Sequence, residues 1–406
     1  MHPRPTTPLR QLTVNIALAA TLVAALAAAL GPASAQAAPA PSHATPAGTA
    51  SGAAAGATVS GIVSAAGDRH GLVGMPVRAV APGSCPAGQT CGAETVSGAG
   101  GAYALTGLAP GVYTLDVVDG STAVAAATVT ITDPAQSTTV DLRLGPPAVP
   151  AGTVARNARR DLAWLNAERV RDGSPGGVLL NPRWSAECAG HDAYERANHV
   201  LDPTEDPTAL GASAGGAWAG LNSALAEDRW TRQATPWENA PIHLLALLAP
   251  SLSVTGIDDE SGLQCAVTSP GMVRAPGRTD TLRTYPAPGA KGIPDAELAR
   301  ESPFVPGQFA GLAADRTTGR ELFVYLNRAG QTGQAAVDIT RATLTRAGHP
   351  VAVRWVDNAT RTIGPYLAGG IVIPVDPLRP ATTYRATVAV RGGTRTLTRS
   401  WSFTTR

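Results

Sequence analysis

The N-terminus sets the chemical conditions under which the rest of the chain must fold. His2, Arg4 and Arg10 precede an apolar run from Val14 to Leu30, and Pro32 breaks it just before Ala33-Ser34-Ala35. A basic start, a short apolar stretch and a small-residue cleavage site read as a secretory leader over residues 1–35. The run is short for a bilayer span, so the mature chain is expected to be secreted, with no membrane span after cleavage. Export into an oxidising compartment gives the four cysteines a meaning, because an even count there predicts two disulfides. Cys85 and Cys91 flank a Pro/Gly loop that suits a local bridge, which leaves Cys188 to pair with Cys265. Neither spacing is a C-x-x-C metal pattern.

The 406 residues suffice for two to four domains. Only 15% of them are charged, against 44 Gly and 34 Pro, which favours β-rich modules with many turns. A net charge of +2 and the lack of a dense Lys/Arg run argue against a nucleic-acid partner. Residues 36–57 carry almost no large apolar side chain and read as a disordered linker. From 58 to 146 the pattern becomes short alternating runs. Tyr103 with Leu105, and Tyr113 with Leu115 and Val117, share faces at period two, so six or seven strands are expected to form a small β-sandwich. The run Gly101-Ala-Tyr-Ala-Leu-Thr-Gly-Leu108, followed by Gly111-Val-Tyr-Thr-Leu115, resembles the carboxypeptidase-regulatory-like (prealbumin-like) sandwich family. That resemblance implies a spacer or adhesive module.

Beyond the Pro-rich segment 145–150 the periodicity turns helical. Leu162, Trp164 and Leu165 lie among charged residues, and Asn181-Pro182 supplies a cap and a first-turn proline for a second helix. On that helix Trp184, Cys188, His191 and Tyr194 share a face. With His199, and with Trp237-Glu-Asn-Ala-Pro-Ile-His243 downstream, residues 155–270 resemble the CAP superfamily (SCP-like: cysteine-rich secretory, antigen and pathogenesis-related proteins). Bacterial members carry W-x-x-S-P-G-H, from which this chain departs at Ala240 and Ile242. The resemblance implies an α-β-α sandwich with a broad cleft, lined in the family by two His and two Glu. His199 and His243 fall on the two His positions. Gly220-Leu221-Asn222 corresponds to the family's G-E-N, which places Leu221 where a Glu belongs and makes Asn222 a cleft candidate. Glu238 is the candidate for the other carboxylate. These two histidines with one acid are the residues that zinc would use, and no cofactor is required otherwise. Plainer readings stand beside these: His191 packs against Tyr194, Trp237 fills core, and His243 is a satisfied structural histidine. Ser185 and Ser223 lack a G-x-S-x-G elbow.

Residues 291–406 read as a β-rich region with an Ig-like sandwich from about 335, where Leu378-x-Pro380-x-x-x-Tyr384 resembles a tyrosine corner. The expected fold is therefore multidomain: an α-β-α CAP-like sandwich flanked by two all-β sandwiches. The expected function is that of a secreted, non-enzymatic binding protein for an extracellular lipid, glycan or protein. The alternative is a metal-assisted hydrolase or peptidase using the His199/His243 cleft.

Overall fold

A computed structural model describes residues 56–65, 71–81, 92–120, 122–145, 151–228, 230–231, 235–260, 262–274, 277–392 and 395–406. The leader, the linker up to residue 55, the Cys85–Cys91 pair and segment 146–150 lie outside the described residues. The described chain is β-rich and built from several sheets.

Strands β1 (Ala57–Ala65), β2 (Pro76–Val80), β3 (Gly92–Val96), β4 (Ala102–Leu108), β5 (Gly111–Asp119), β6 (Thr122–Ile131), β7 (Ser137–Thr139) and β8 (Leu142–Leu144) form two sheets. One runs β4-β1-β7, with β8 also on β1, and the other runs β3-β2-β5-β6. The period-two residues Tyr103, Leu105, Tyr113, Leu115 and Val117 all face the core, while Ile62, out of phase with Val59 and Val63, is exposed.

The middle of the chain contains α1 (Ala151–Arg171), β9 (Leu179–Leu180), α2 (Pro182–Asn198), α3 (Ala214–Asn222), β10 (Ser223–Glu227), α4 (Pro241–Leu247), β11 (Val254–Thr255), β12 (Ile257–Glu260) and β13 (Leu263–Val267). Asn181 caps α2 as its sequence predicts, its side chain accepting from the N–H groups of Arg183 and Trp184. Strands β10, β13 and β12 form an antiparallel sheet. Alternation divides its side chains between two cores. Cys265 and Val267 pack with Trp184, Cys188 and Ala219 of α2 and α3. Ala224, Ile257 and Ala266 pack with Ala158 and Leu165 of α1 and Leu244 of α4. Cys188 is bonded to Cys265, closing a separation of 77 residues. On loop-closure grounds that cross-link is worth about 4 kcal/mol.

The last part contains β14 (Thr281–Tyr285), α5 (Pro306–Phe309), β15 (Leu322–Asn327), β16 (Ile339–Arg346), β17 (His349–Val351), β18 (Val353–Val356), β19 (Gly370–Pro374), β20 (Thr383–Gly392) and β21 (Arg395–Thr404). They form antiparallel sheets β14-β15-β19-β18 and β17-β16-β20-β21 around Leu326, Leu344, Val388, Trp401 and Phe403. Tyr384 makes the expected corner, its hydroxyl accepting from the Arg379 N–H at 2.7 Å. The sandwich draws β14 from before residue 291 and β15 from before 335.

Cores are shared across these parts. The N-terminal sandwich and α2 belong to one apolar cluster, in which Gly74 lies so close that a Cβ there would meet Val254 at 2.9 Å and Trp184 at 3.1 Å. Asn181 donates to the Val73 carbonyl at 2.8 Å, and Arg183 pairs with Asp119. At the other side, β15 is apolar on both faces. Phe323 and Tyr325 join the core of α1 and α4, whereas Leu322, Val324 and Leu326 face the last sheet. Residues Ala54–Arg406 accordingly cluster as one unit.

Candidate functional site

The segment from Trp237 to His243 folds as a turn leading into α4. Trp237 is fully buried, stacks edge-on against Trp230 at 5.2 Å and donates its indole N–H to the Leu225 carbonyl at 3.0 Å. It fixes the path of the chain, as the plainer reading has it. Pro241 begins α4, where its missing N–H costs nothing. The next two N–H groups, of Ile242 and His243, both donate to the carboxylate of Glu301, at 3.0 and 2.9 Å. The same carboxylate lies 2.6 Å from His243 Nδ1. Glu301 has a side-chain exposure of 1% and His243 one of 25%. The imidazole is thus held from behind by a buried acid and presents its remaining edge to a cleft of about 1220 Å³.

Apolar groups from Leu221, Ile242, Met272, Phe304 and Tyr366 line this cleft together with about as much polar surface, to which Asn222, Glu227, Asp228, His243, Arg300 and Gln334 contribute. Leu221 is 65% exposed at its mouth. Gly220 packs so tightly beside α2 that a Cβ would lie 2.4 Å from the His191 ring, so a larger residue there would displace α3.

Not all the expected residues converge here. Asn222 and His243 line the cleft, but His199 does not, although Leu201 and Pro203 just beyond it do. His199 ends α2 in the left-handed conformation, its N–H bonded to the Glu195 carbonyl, and is exposed. That conformation follows from helix termination. Glu238 is also off the cleft lining; its carboxylate lies 3.5 Å from Arg320. Among the described residues no group of three or more His, Cys, Asp or Glu is placed to hold a metal ion. His199, His243 and Glu238 do not form such a group. Glu301, the acid that does meet His243, lies 58 residues downstream in a Pro-rich stretch with no local signal.

Two polar residues of α1, Asn166 and Arg169, hold neighbouring backbone in place. Asn166 staples the following loop, accepting from the Val178 N–H at 2.8 Å and donating to the Val178 carbonyl at 3.1 Å. Arg169 is buried and donates to the carbonyls of Leu247, Ala249 and Leu252 at and after the end of α4. Burial pulls its guanidinium down to about 10. Beneath the cleft, buried Arg320 donates to the Glu238 carbonyl at 2.7 Å and to the Tyr285 hydroxyl at 3.0 and 3.1 Å, with Glu297 at 3.3 Å. Burial raises the Glu297 carboxyl, and raises Glu321 well above the usual range, helped by the nearby Glu297 and Glu301 charges. On α2, His191 stacks on Tyr194 as expected and also lies between Glu205 at 3.0 Å and Glu195 at 3.4 Å. Burial disfavours its cation, but the two carboxylates outweigh that and raise it overall.

No family model matches the chain, and no curated protein matches it. Among solved structures the chain is similar to selenomethionine PcoC, a copper resistance protein from Escherichia coli, at 15% identity. The match covers 30% of this chain and 95% of that one. Its TM-score of 0.18 carries no argument about fold or ligand.

The buried acids predict how stability depends on pH. Glu168 is pushed up to about 7 by burial and then by Asp172, and Glu187 up to about 8 by burial and then by Asp119. The folded chain keeps these protons where an ordinary Glu releases them near 4.5. Stability is therefore highest at acidic pH and falls as pH rises through that window. Calorimetric Tm should fall between about pH 5 and pH 8, and Glu168→Gln with Glu187→Gln should flatten the slope. A wild-type Tm that climbs over this range would contradict the assignment.

Proposed function

We propose that this is an exported, CAP-like binding protein of bacterial type whose central cleft takes an amphipathic, lipid-like ligand. In this reading the β10-β13-β12 sheet, with α2 and α3 on one side and α1 and α4 on the other, is the α-β-α core that the sequence resemblance implies. The observation that supports the reading is the cleft itself, where apolar groups such as Ile242, Met272 and Phe304 alternate with polar ones around the fixed His243 imidazole. The walls suit a hydrocarbon body, and His243 with Arg300 and Asn222 suits a polar or acidic head. Leu221 supports the same reading, because it replaces a family carboxylate with an apolar rim. The Cys188–Cys265 bond is consistent with export. The two sandwiches, through their shared cores, hold this cleft in a rigid frame, which favours a platform over a flexible spacer.

Titration with a fluorescent fatty acid such as dansyl-undecanoic acid tests this reading. Saturable binding is expected, weakened about tenfold or more by Ala246→Trp, which fills the cleft. Lack of saturable binding, or indifference to Ala246→Trp, would overturn it.

One contact favours a second reading, a secreted hydrolase. His243 held by Glu301 has the arrangement of a general base with its orienting acid. Its metal-assisted form makes a separate prediction: calorimetry should find stoichiometric zinc binding that is lost in His199→Ala/His243→Ala. Lack of binding at millimolar zinc removes the metal-assisted form.

A further inference from the structure

The outer face of the last sheet takes no part in the cleft. Along β16, β20 and β21 the buried side chains of Leu344, Ala386, Val388 and Phe403 define the inward set of each strand. Strand pairing then lays the other set on one surface. Thr343, Thr387 and Ser400 lie side by side across three strands. On one side of that row Arg385 sits between Thr345 and Ser402. On the other, Arg341 pairs with Ala389, and Arg391 follows two positions along β20. Arg341, Arg385, Arg391 and Ser400 are exposed, and Thr343 and Thr387 are half-buried. Thr387 and Ser400 share a hydrogen bond of 2.8 Å, which orients both hydroxyls and leaves each further capacity to donate or accept.

The charge on this face is one-sided. Residues 339–356 and 377–406, which supply the whole sheet, contain Arg throughout and no Asp or Glu. The acid that reaches the face is Asp338, which lies 3.3 Å from Arg391 and is itself partly exposed. From Arg385 to Arg391 the strand covers about 20 Å at ~3.4 Å per residue, so the charges are spread along a line rather than gathered round a point. Among the described residues of β16, β20 and β21 no Phe, Tyr or Trp is exposed on which a nucleic-acid base could stack.

We propose that this face docks an anionic extracellular glycan. Its arginines take the repeated sulfate or carboxylate groups of the polymer, and the hydroxyl rows take the hydroxyls of the sugar rings between them. The strand register fixes the spacing of these groups and the Thr387–Ser400 bond orients two of the hydroxyls, which suits an extended chain lying across the strands.

Biolayer interferometry on the full chain tests this with immobilised heparin as the sulfated probe, polygalacturonate as the carboxylated probe, dextran as the neutral probe and polyphosphate as a sugar-free polyanion. The expected result is binding to heparin or polygalacturonate and not to dextran. Arg341→Gln/Arg385→Gln/Arg391→Gln should weaken it about tenfold or more. Arg171→Gln/Arg278→Gln/Arg361→Gln, which removes the same charge elsewhere, should have little effect. Thr387→Val/Ser400→Ala should weaken glycan binding and spare polyphosphate binding. Three results would overturn the proposal: neither anionic glycan binds, the two triple variants lose affinity equally, or the hydroxyl variant weakens glycan and polyphosphate alike.

Discussion

A helix as short as α4 does not hold itself in water, and the cleft depends on it being held. Its seven residues, Pro241–Leu247, have their ends satisfied by side chains from distant parts of the chain. At the start, Pro241 has no N–H to satisfy, Ile242 and His243 donate to Glu301, and Leu244 donates to the Ala240 carbonyl. At the end, the Leu245 carbonyl accepts from the Tyr325 hydroxyl at 2.9 Å and the Leu247 carbonyl from Arg169. Ser174 takes the Leu248 carbonyl just beyond, at 2.6 Å. An anion thus sits at the N-terminus and a cation at the C-terminus, the arrangement that complements the helix dipole, with both charges removed from screening water. Because Glu301 also grips the His243 ring, the group that places the helix is the group that aims its imidazole.

This clamp explains why the parts of the chain are fused. Arg169 comes from α1, Tyr325 from β15 and Glu301 from the connection between β14 and β15, so the cleft exists only when the middle and the last part are packed together. Arg320 reinforces the same junction from below, since a guanidinium with 2% side-chain exposure must have its lost water contacts replaced, here by Glu238, Tyr285 and Glu297. On the far side, Trp184 and Gly74 join α2 to the first sandwich. The layers therefore stack from one sandwich to the other, with the cleft near the second junction.

Much of the fold was legible in the sequence where local pattern controls structure. Tyr103, Leu105, Tyr113 and Leu115 announced their strands by period two, Asn181-Pro182 announced a helix start, and Tyr384 announced its corner. The cleft was legible in part: Trp237 to His243 located it, and Asn222 lines it. Its acid was not, because Glu301 is bound to His243 only through tertiary packing across 58 residues, whereas Glu238, closer in sequence, is drawn towards Arg320. His199 kept its place in the motif but does not line the cleft; it sits at the left-handed end of α2. The basic face escaped for a related reason. Arg341, Arg385 and Arg391 are scattered along the chain, and only the strand register brings them together.

The account rests on Glu301 holding α4 and its histidine in place. Hydrogen–deuterium exchange of the amides of residues 242–248, in the wild type and in Glu301→Ala, measures this directly. The clamp predicts slow exchange in the wild type and a marked acceleration confined to α4 and the cleft wall in the variant, with β20 and β21 unchanged. Equal protection of α4 in both proteins would contradict it.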